Sequence, residues 1–132
     1  LKDTVIFTDY LPFDLVPEYI SIADIMVIPH RDCLTYQISP PVKLLEYMAS
    51  EKPVVSTKVG VDEYITEGFN ALIVDDAEPF KIAEAIIKLL DDKNLRLYLG
   101  RNARNTVEQS YNLDIMLDKF EKSFNSLIQP IQ

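Results

Sequence analysis

Apolar residues fall along the chain in short blocks first and in a helical rhythm later. Val5-Ile6-Phe7 is a β-branched and aromatic run closed by Thr8-Asp9-Tyr10 and Pro12, which predicts a strand and a turn. Pro17 suits a first helical turn and predicts a helix through Glu18, Ile20 and Ala23. Ile25 to Ile28, four apolar residues ended by Pro29, reads as a strand buried on both faces, as do Pro53 to Ser56 and Ala71 to Val74. Between them lie an irregular polar stretch from His30 to Ser39, a helix from about Val42 to Ser50, and a short helical segment around Glu63-Tyr64-Ile65. Gly68 and Asn70 mark the turn before the last strand. From Pro79 the period becomes helical, with Ile82, Ala83, Ile86, Leu89 and Leu90 on one face and Asp76 or Glu78 near its start. Leu95, Leu99, Ala103 and Val107 then fall at four-residue spacing. A last helix from Leu113 carries Met116, Leu117, Phe120, Phe124, Leu127 and Ile128 in register, a stripe expected to be core or interface.

Buried strands alternating with helices imply parallel pairing by right-handed crossovers, hence an α/β, Rossmann-like doubly wound domain. Residues 1–112 are expected to form this nucleotide-binding unit, with 113–132 as a C-terminal amphipathic helix of the same domain. Ligands of such sheets bind beyond the carboxyl ends of the strands. That singles out Thr8–Pro12, Pro29–Pro41 and Thr57–Glu63 as the segments to inspect. The helix from Val42 offers free N–H groups and a positive dipole end beside a strand end, a ready anion site. Lys43 adds a full charge there. Glu46, at i+3 from Lys43, is placed to accept two hydroxyl protons of a ribose; the alternative is a plain helix-surface pair of about 0.2–0.5 kcal/mol.

Composition narrows the classes. The chain has 132 residues, 48% of them apolar, and a net charge of −8. Surface scaling for 15.1 kDa predicts roughly 14,800 Å² hidden on folding, about 68% of the open chain's surface. One Cys and one His make neither a disulfide framework nor a zinc cage. The acidic balance argues against nucleic acid as a partner. No apolar run approaches a membrane span and no signal peptide opens the chain, so a reducing, cytoplasmic setting is expected, peripheral at the membrane face if membrane-associated. The first residue is Leu1, not Met, which raises the expectation of a piece of a longer protein.

Lys43-Leu-Leu-Glu-Tyr-Met-Ala-Ser-Glu-Lys-Pro-Val-Val55 resembles the donor-binding helix of the retaining GT-B glycosyltransferases of family 4, the group 1 transferases. Their pattern is a Glu, seven residues, then "E-A-M-A-x-G-x-P-V-V", with "K-L-x-E-Y-M-A-x-G-K-P-V-V" as a variant. Ala23 to Pro29 resembles "A-D-v-x-v-x-P", Val59 to Ile65 "v-G-g-x-x-E-x-i", Glu67 to Val74 "x-G-x-N-G-x-l-v" and Leu99 to Arg104 "l-G-x-n-A-r". The resemblance runs over about residues 3–124. It implies a nucleotide-diphospho-sugar donor and transfer to a glycan, lipid-linked or protein acceptor. Glu46 would hold the ribose, and the N–H groups of Val42, Lys43 and Leu44 the diphosphate. Pro41, having no N–H, is a departure. The loop Thr8 to Leu11 would frame the base, with Asp9 where the family has Gly; an ordinary strand-ending turn is the alternative.

Eight residues before Glu46, where the family's first Glu stands, is Ile38. Either that acid is absent or Asp32 replaces it on a longer loop, so the catalytic residue is unassigned with Asp32 as the candidate. His30, where the family often has Ser, reads as a phosphate or sugar contact or as an ordinary loop histidine, and Arg31 divides the same way. Cys33 reads as a buried or half-buried filler, and Glu63 as a donor-side residue or a cap. No metal and no cofactor besides the donor are implied. The acceptor would be met by an N-terminal domain that this stretch lacks, leaving the chain alone inactive. In the order 3-2-1-4-5-6 two strands would separate the Val5 strand from the Ile25 strand. The chain must therefore pair these two directly or leave an apolar edge, predicting self-association there or a rearranged first strand. The alternatives in function are a non-catalytic glycosyltransferase relative and a flavodoxin-like binding module.

Overall fold

The computed structural model describes residues 4–39 and 41–128. A 3-10 turn, Phe13–Leu15, leads into α1 (Val16–Ile22); β1 (Met26–Ile28), α2 (Leu34–Ile38), α3 (Val42–Ala49), β2 (Val54–Thr57), β3 (Leu72–Val74), α4 (Pro79–Asp91), α5 (Lys93–Ser110) and α6 (Leu113–Ile128) follow. The three strands form one parallel sheet in the order β1-β2-β3, with Val27 opposite Val55 and Val55 opposite Leu72. The parallel α/β class expected from the apolar runs is therefore the class observed.

Successive strand residues face opposite sides, so β2 feeds two cores. Val54 packs with Leu44 and Met48 of α3, Ile28, Ala71 and Ala103. Val55 packs with Leu72, Val74, Leu89 of α4 and Leu99 of α5. α3 thus buries Leu44 and Met48, one turn apart. Ile82, Ala85, Ile86 and Leu89 form the inner face of α4, leaving Ala83 and Leu90 to solvent. Asp92 caps α5 through the Leu95 N–H at 2.9 Å, and Asn112 caps α6 through the Ile115 N–H at 2.9 Å.

Four expectations are corrected. Val5, Ile6 and Phe7 form no strand and are 49%, 86% and 85% exposed: a β-prone run becomes a strand only with a ladder partner, and β1 pairs with β2 alone. Of the two outcomes foreseen for that edge, direct pairing is not adopted. The supposed irregular stretch contains α2, whose Tyr36 and Gln37 N–H groups both donate to the Cys33 carbonyl at 3.1 Å. The segment near Glu63 is a single turn, Ile65 N–H to Val61 C=O at 3.1 Å, because Gly60 enters it at φ +71°. Finally, α6 has no buried residue, so its stripe is not core.

Candidate functional site

The strand ends and the start of α3 converge at one edge of the sheet. β1 delivers His30, β2 delivers Lys58 to Asp62, and β3 delivers Asp75. Thr57 Oγ1 donates to the His30 carbonyl at 2.8 Å, tying the ends of β1 and β2 together. α3 begins without a side-chain cap, and its first bond runs from Leu45 N–H to Pro41 C=O at 3.2 Å. The N–H groups of Val42, Lys43 and Leu44 are left with no helical acceptor.

A depression of about 300 Å³ opens there, lined by Ile28, His30, Tyr36, Ser39, Pro41, Val42, Lys43, Leu44 and Gly60. It brings together four of the residues singled out from sequence: His30, Val42, Lys43 and Leu44. Leu44's side chain is fully buried in the core, so only its backbone can serve a ligand. The His30 ring stacks on Tyr36 with centroids 4.0 Å apart and planes at 11°. Burial, and then the Lys43 ammonium, hold its imidazole below its ordinary pKa, because both penalise a second positive charge.

Glu46 lies one turn further along α3, about 4.5 Å along the axis from Lys43, and forms no ion pair with it. It lines a second depression, of about 270 Å³, with Phe13, Val16, Pro17, Ile20, Ala49 and Ser50. A carboxylate against an apolar wall suits a ring bearing a diol. Burial and then the Glu46 charge raise the pKa of neighbouring Tyr47, so its phenol stays protonated. Leu11 is half-buried and lines neither depression. Asp9, beside it, holds a positive φ of 51°.

Asp32 is drawn away from the α3 start. It accepts a bond from Gln37 Nε2 at 2.6 Å and lines a separate opening of about 460 Å³ with Lys58, Asp62 and Asp75. Ile38 is 72% exposed and lines, with Gln37, Asp62 and Glu63, the depression between the two. Cys33 is exposed, correcting the expected filler, because it sits ahead of a short surface helix. Glu63 points its carbonyl to the Tyr111 hydroxyl at 2.6 Å. Among the described residues no three His, Cys, Asp or Glu side chains form a metal-ligand set, and no helix is long and apolar enough to cross a membrane.

Tyr36 and Gly60 lie in segments singled out from sequence, but sequence reasoning gave neither a role. A Cβ on Gly60 would collide with the Tyr36 carbonyl, so this glycine lets α2 close over the site. The signal for Gly60 was its place in Val59-Gly60-Val61; for Tyr36 the sequence pointed to the segment Pro29–Pro41 but not to the residue.

The profile of the family described as "Glycosyl transferases group 1" matches residues 1–92. An uncharacterized glycosyltransferase of Methanocaldococcus jannaschii is 28% identical over 97% of this chain and 32% of its own length. The alpha-D-kanosaminyltransferase of Streptomyces kanamyceticus is 29% identical over 90% and 30%. The chain thus spans about a third of the length of the curated relatives it matches. Among solved structures, sucrose-phosphate synthase of Thermosynechococcus elongatus superposes with a TM-score of 0.83 at 25% identity, over 95% of this chain and 30% of that one. The C-terminal domain of a glycosyl transferase group 1 family protein of Francisella tularensis gives 0.68 at 25%, over 81% and 53%. HepE of Anabaena, solved in complex with UDP-glucose, shares the fold at 0.73 and 20% identity, over 83% and 29%. The chain belongs to the group 1 glycosyl transferases and has the fold of their GT-B C-terminal domain.

Proposed function

We propose that the chain is the donor-binding part of a retaining glycosyltransferase of family 4, taking a nucleoside-diphosphate sugar. The carrying observation is the uncapped start of α3, where three free N–H groups, Lys43 and His30 line one depression. The diphosphate sits there, and Glu46, one turn further along α3, accepts the ribose hydroxyls in the second depression, with the base against Phe13 and Pro17. HepE's complex with UDP-glucose supports a donor of this class. The sugar moves to a glycan, lipid-linked or protein acceptor bound outside these residues, in the cytoplasm, with no metal or further cofactor. The chain by itself binds donor without transferring it, since one Lys is the only fixed side-chain charge in the depression to meet the leaving diphosphate, and electrostatic stabilisation is usually the largest catalytic contribution.

Calorimetric titration with UDP-, ADP- and GDP-sugars tests this. One of them binds, and Lys43→Ala or Glu46→Gln weakens it about tenfold or more, the worth of a charge-assisted hydrogen bond. No binding by any, or full affinity in both variants, overturns it. A second reading, donor binding without transfer even in the longer protein, is favoured by exposed Ile38 at the place of the family's first acid. Transfer by the longer protein excludes it.

A further inference from the structure

Resting on the donor reading above, we propose that His30 contacts the diphosphate as an imidazolium, so that donor docking takes up one proton from solvent, and that Tyr36 is the positioning residue that holds the ring for it. A diphosphate esterified at both ends carries two negative charges and no proton that titrates near neutrality. Against it the depression sets one full positive charge, Lys43, and the start of α3, worth roughly half a charge. About half a charge is left unmet. No carboxylate lines the depression to be neutralised instead, and besides Lys43 the one side chain there that can carry a positive charge is His30.

The groups facing His30 are Lys43 from α3 and the Tyr36 phenol from α2; from β2, Thr57 binds its carbonyl and not its ring. Burial and then Lys43 lower the imidazole's pKa and so favour its neutral form. Two incoming negative charges cancel the Lys43 repulsion and reverse the local field, which draws a proton onto the ring. Tyr36 stacked at 4.0 Å covers one face, leaves the ring edge for the ligand, and favours the cation that forms. Both partners are pinned through the backbone, His30 by Thr57 and Tyr36 by its packing on Gly60, so the stack is ready before the donor arrives.

UDP-glucose, ADP-glucose and GDP-mannose are titrated into the chain near neutral pH in two buffers of different ionisation heat, and affinity is followed across roughly pH 6 to 8. The donor that binds should show buffer-dependent heats equal to uptake of up to one proton, and affinity should fall as pH rises, by at most about tenfold per unit. His30→Gln keeps a hydrogen-bond donor but cannot charge; it should abolish the uptake and flatten the pH profile. Tyr36→Phe should keep both, while Tyr36→Ala should lower affinity and blunt the profile. Binding with identical heats in the two buffers, or an unchanged profile in His30→Gln, overturns this proposal and leaves the donor reading standing. No binding by any of the three overturns both.

Discussion

Two non-glycine residues carry a positive φ, Asp9 at 51° and Glu51 at 58°, and both stand where the group 1 pattern places Gly. Asp tolerates that region because its short side chain bonds locally; Glu has no such relief, and a left-handed conformation costs it about 1–2 kcal/mol. Glu51 compensates with only a long, exposed contact to Arg101 at 3.9 Å, worth little. Glu51→Gly is therefore expected to raise the unfolding free energy by roughly 1 kcal/mol after glycine's own entropy cost, read as a higher denaturant midpoint at unchanged slope. A loss of stability would show that the strain is not there. At this scale the sequence was legible where a residue's chemistry acts alone. Lys43 and His30 share a depression, but Asp32 is turned toward Gln37, and the Tyr36 stack depends on a fold-back that no local pattern encodes.

Among the elements, α3 is held at both ends by different means. Its start faces the crevice; its end is gripped by α5. Arg104 Nη1 donates to the Ala49 carbonyl at 2.8 Å, Ala103 is buried beneath, and Gly100 lies so close to the Glu51 carbonyl that a Cβ would collide with it. One residue earlier in the motif than Ala103, Asn102 binds the Phe69 carbonyl at 3.0 Å. Buried Asn70 receives the Thr66 N–H at 2.7 Å and donates to the Thr106 hydroxyl at 3.1 Å. The "G-x-n-A-r" signature thus reads as a clasp on α3. Gly100→Ala is expected to destabilise by about 1–3 kcal/mol, the usual cost of overpacking against backbone that cannot retreat; a neutral thermal melt would refute the clasp. The long helices were legible because their period repeats over several turns. Strands of three or four residues were legible only where both faces were apolar. Val5–Phe7 has the right residues but no neighbour, and a strand is a property of a pair.

The whole molecule exposes 9877 Å², about 2,800 Å² more than a compact protein of this mass, so the early figure of about 68% buried was too high. Ile6, Phe7, Tyr10 and Phe13 account for part of the excess, and the α6 stripe from Leu113 to Ile128 for more. Such exposed apolar surface, together with the unpaired side of β1, is a template for another chain. In light scattering the chain is expected to exceed 15.1 kDa, and Ile6→Lys with Phe7→Lys should bring it down, whereas Phe120→Asp with Phe124→Asp should not. A monomeric wild-type chain would refute the association, and dissociation by the α6 pair alone would move the contact to α6. One joint gives the surface and the crevice a common mechanics. Tyr111, the hinge between α5 and α6, bonds the Glu63 carbonyl and leans on Tyr64, and Glu63 and Tyr64 line the crevice wall. α6 is therefore tied to that wall just ahead of its first turn, and whatever packs along its stripe bears on Glu63 and Tyr64 through Tyr111.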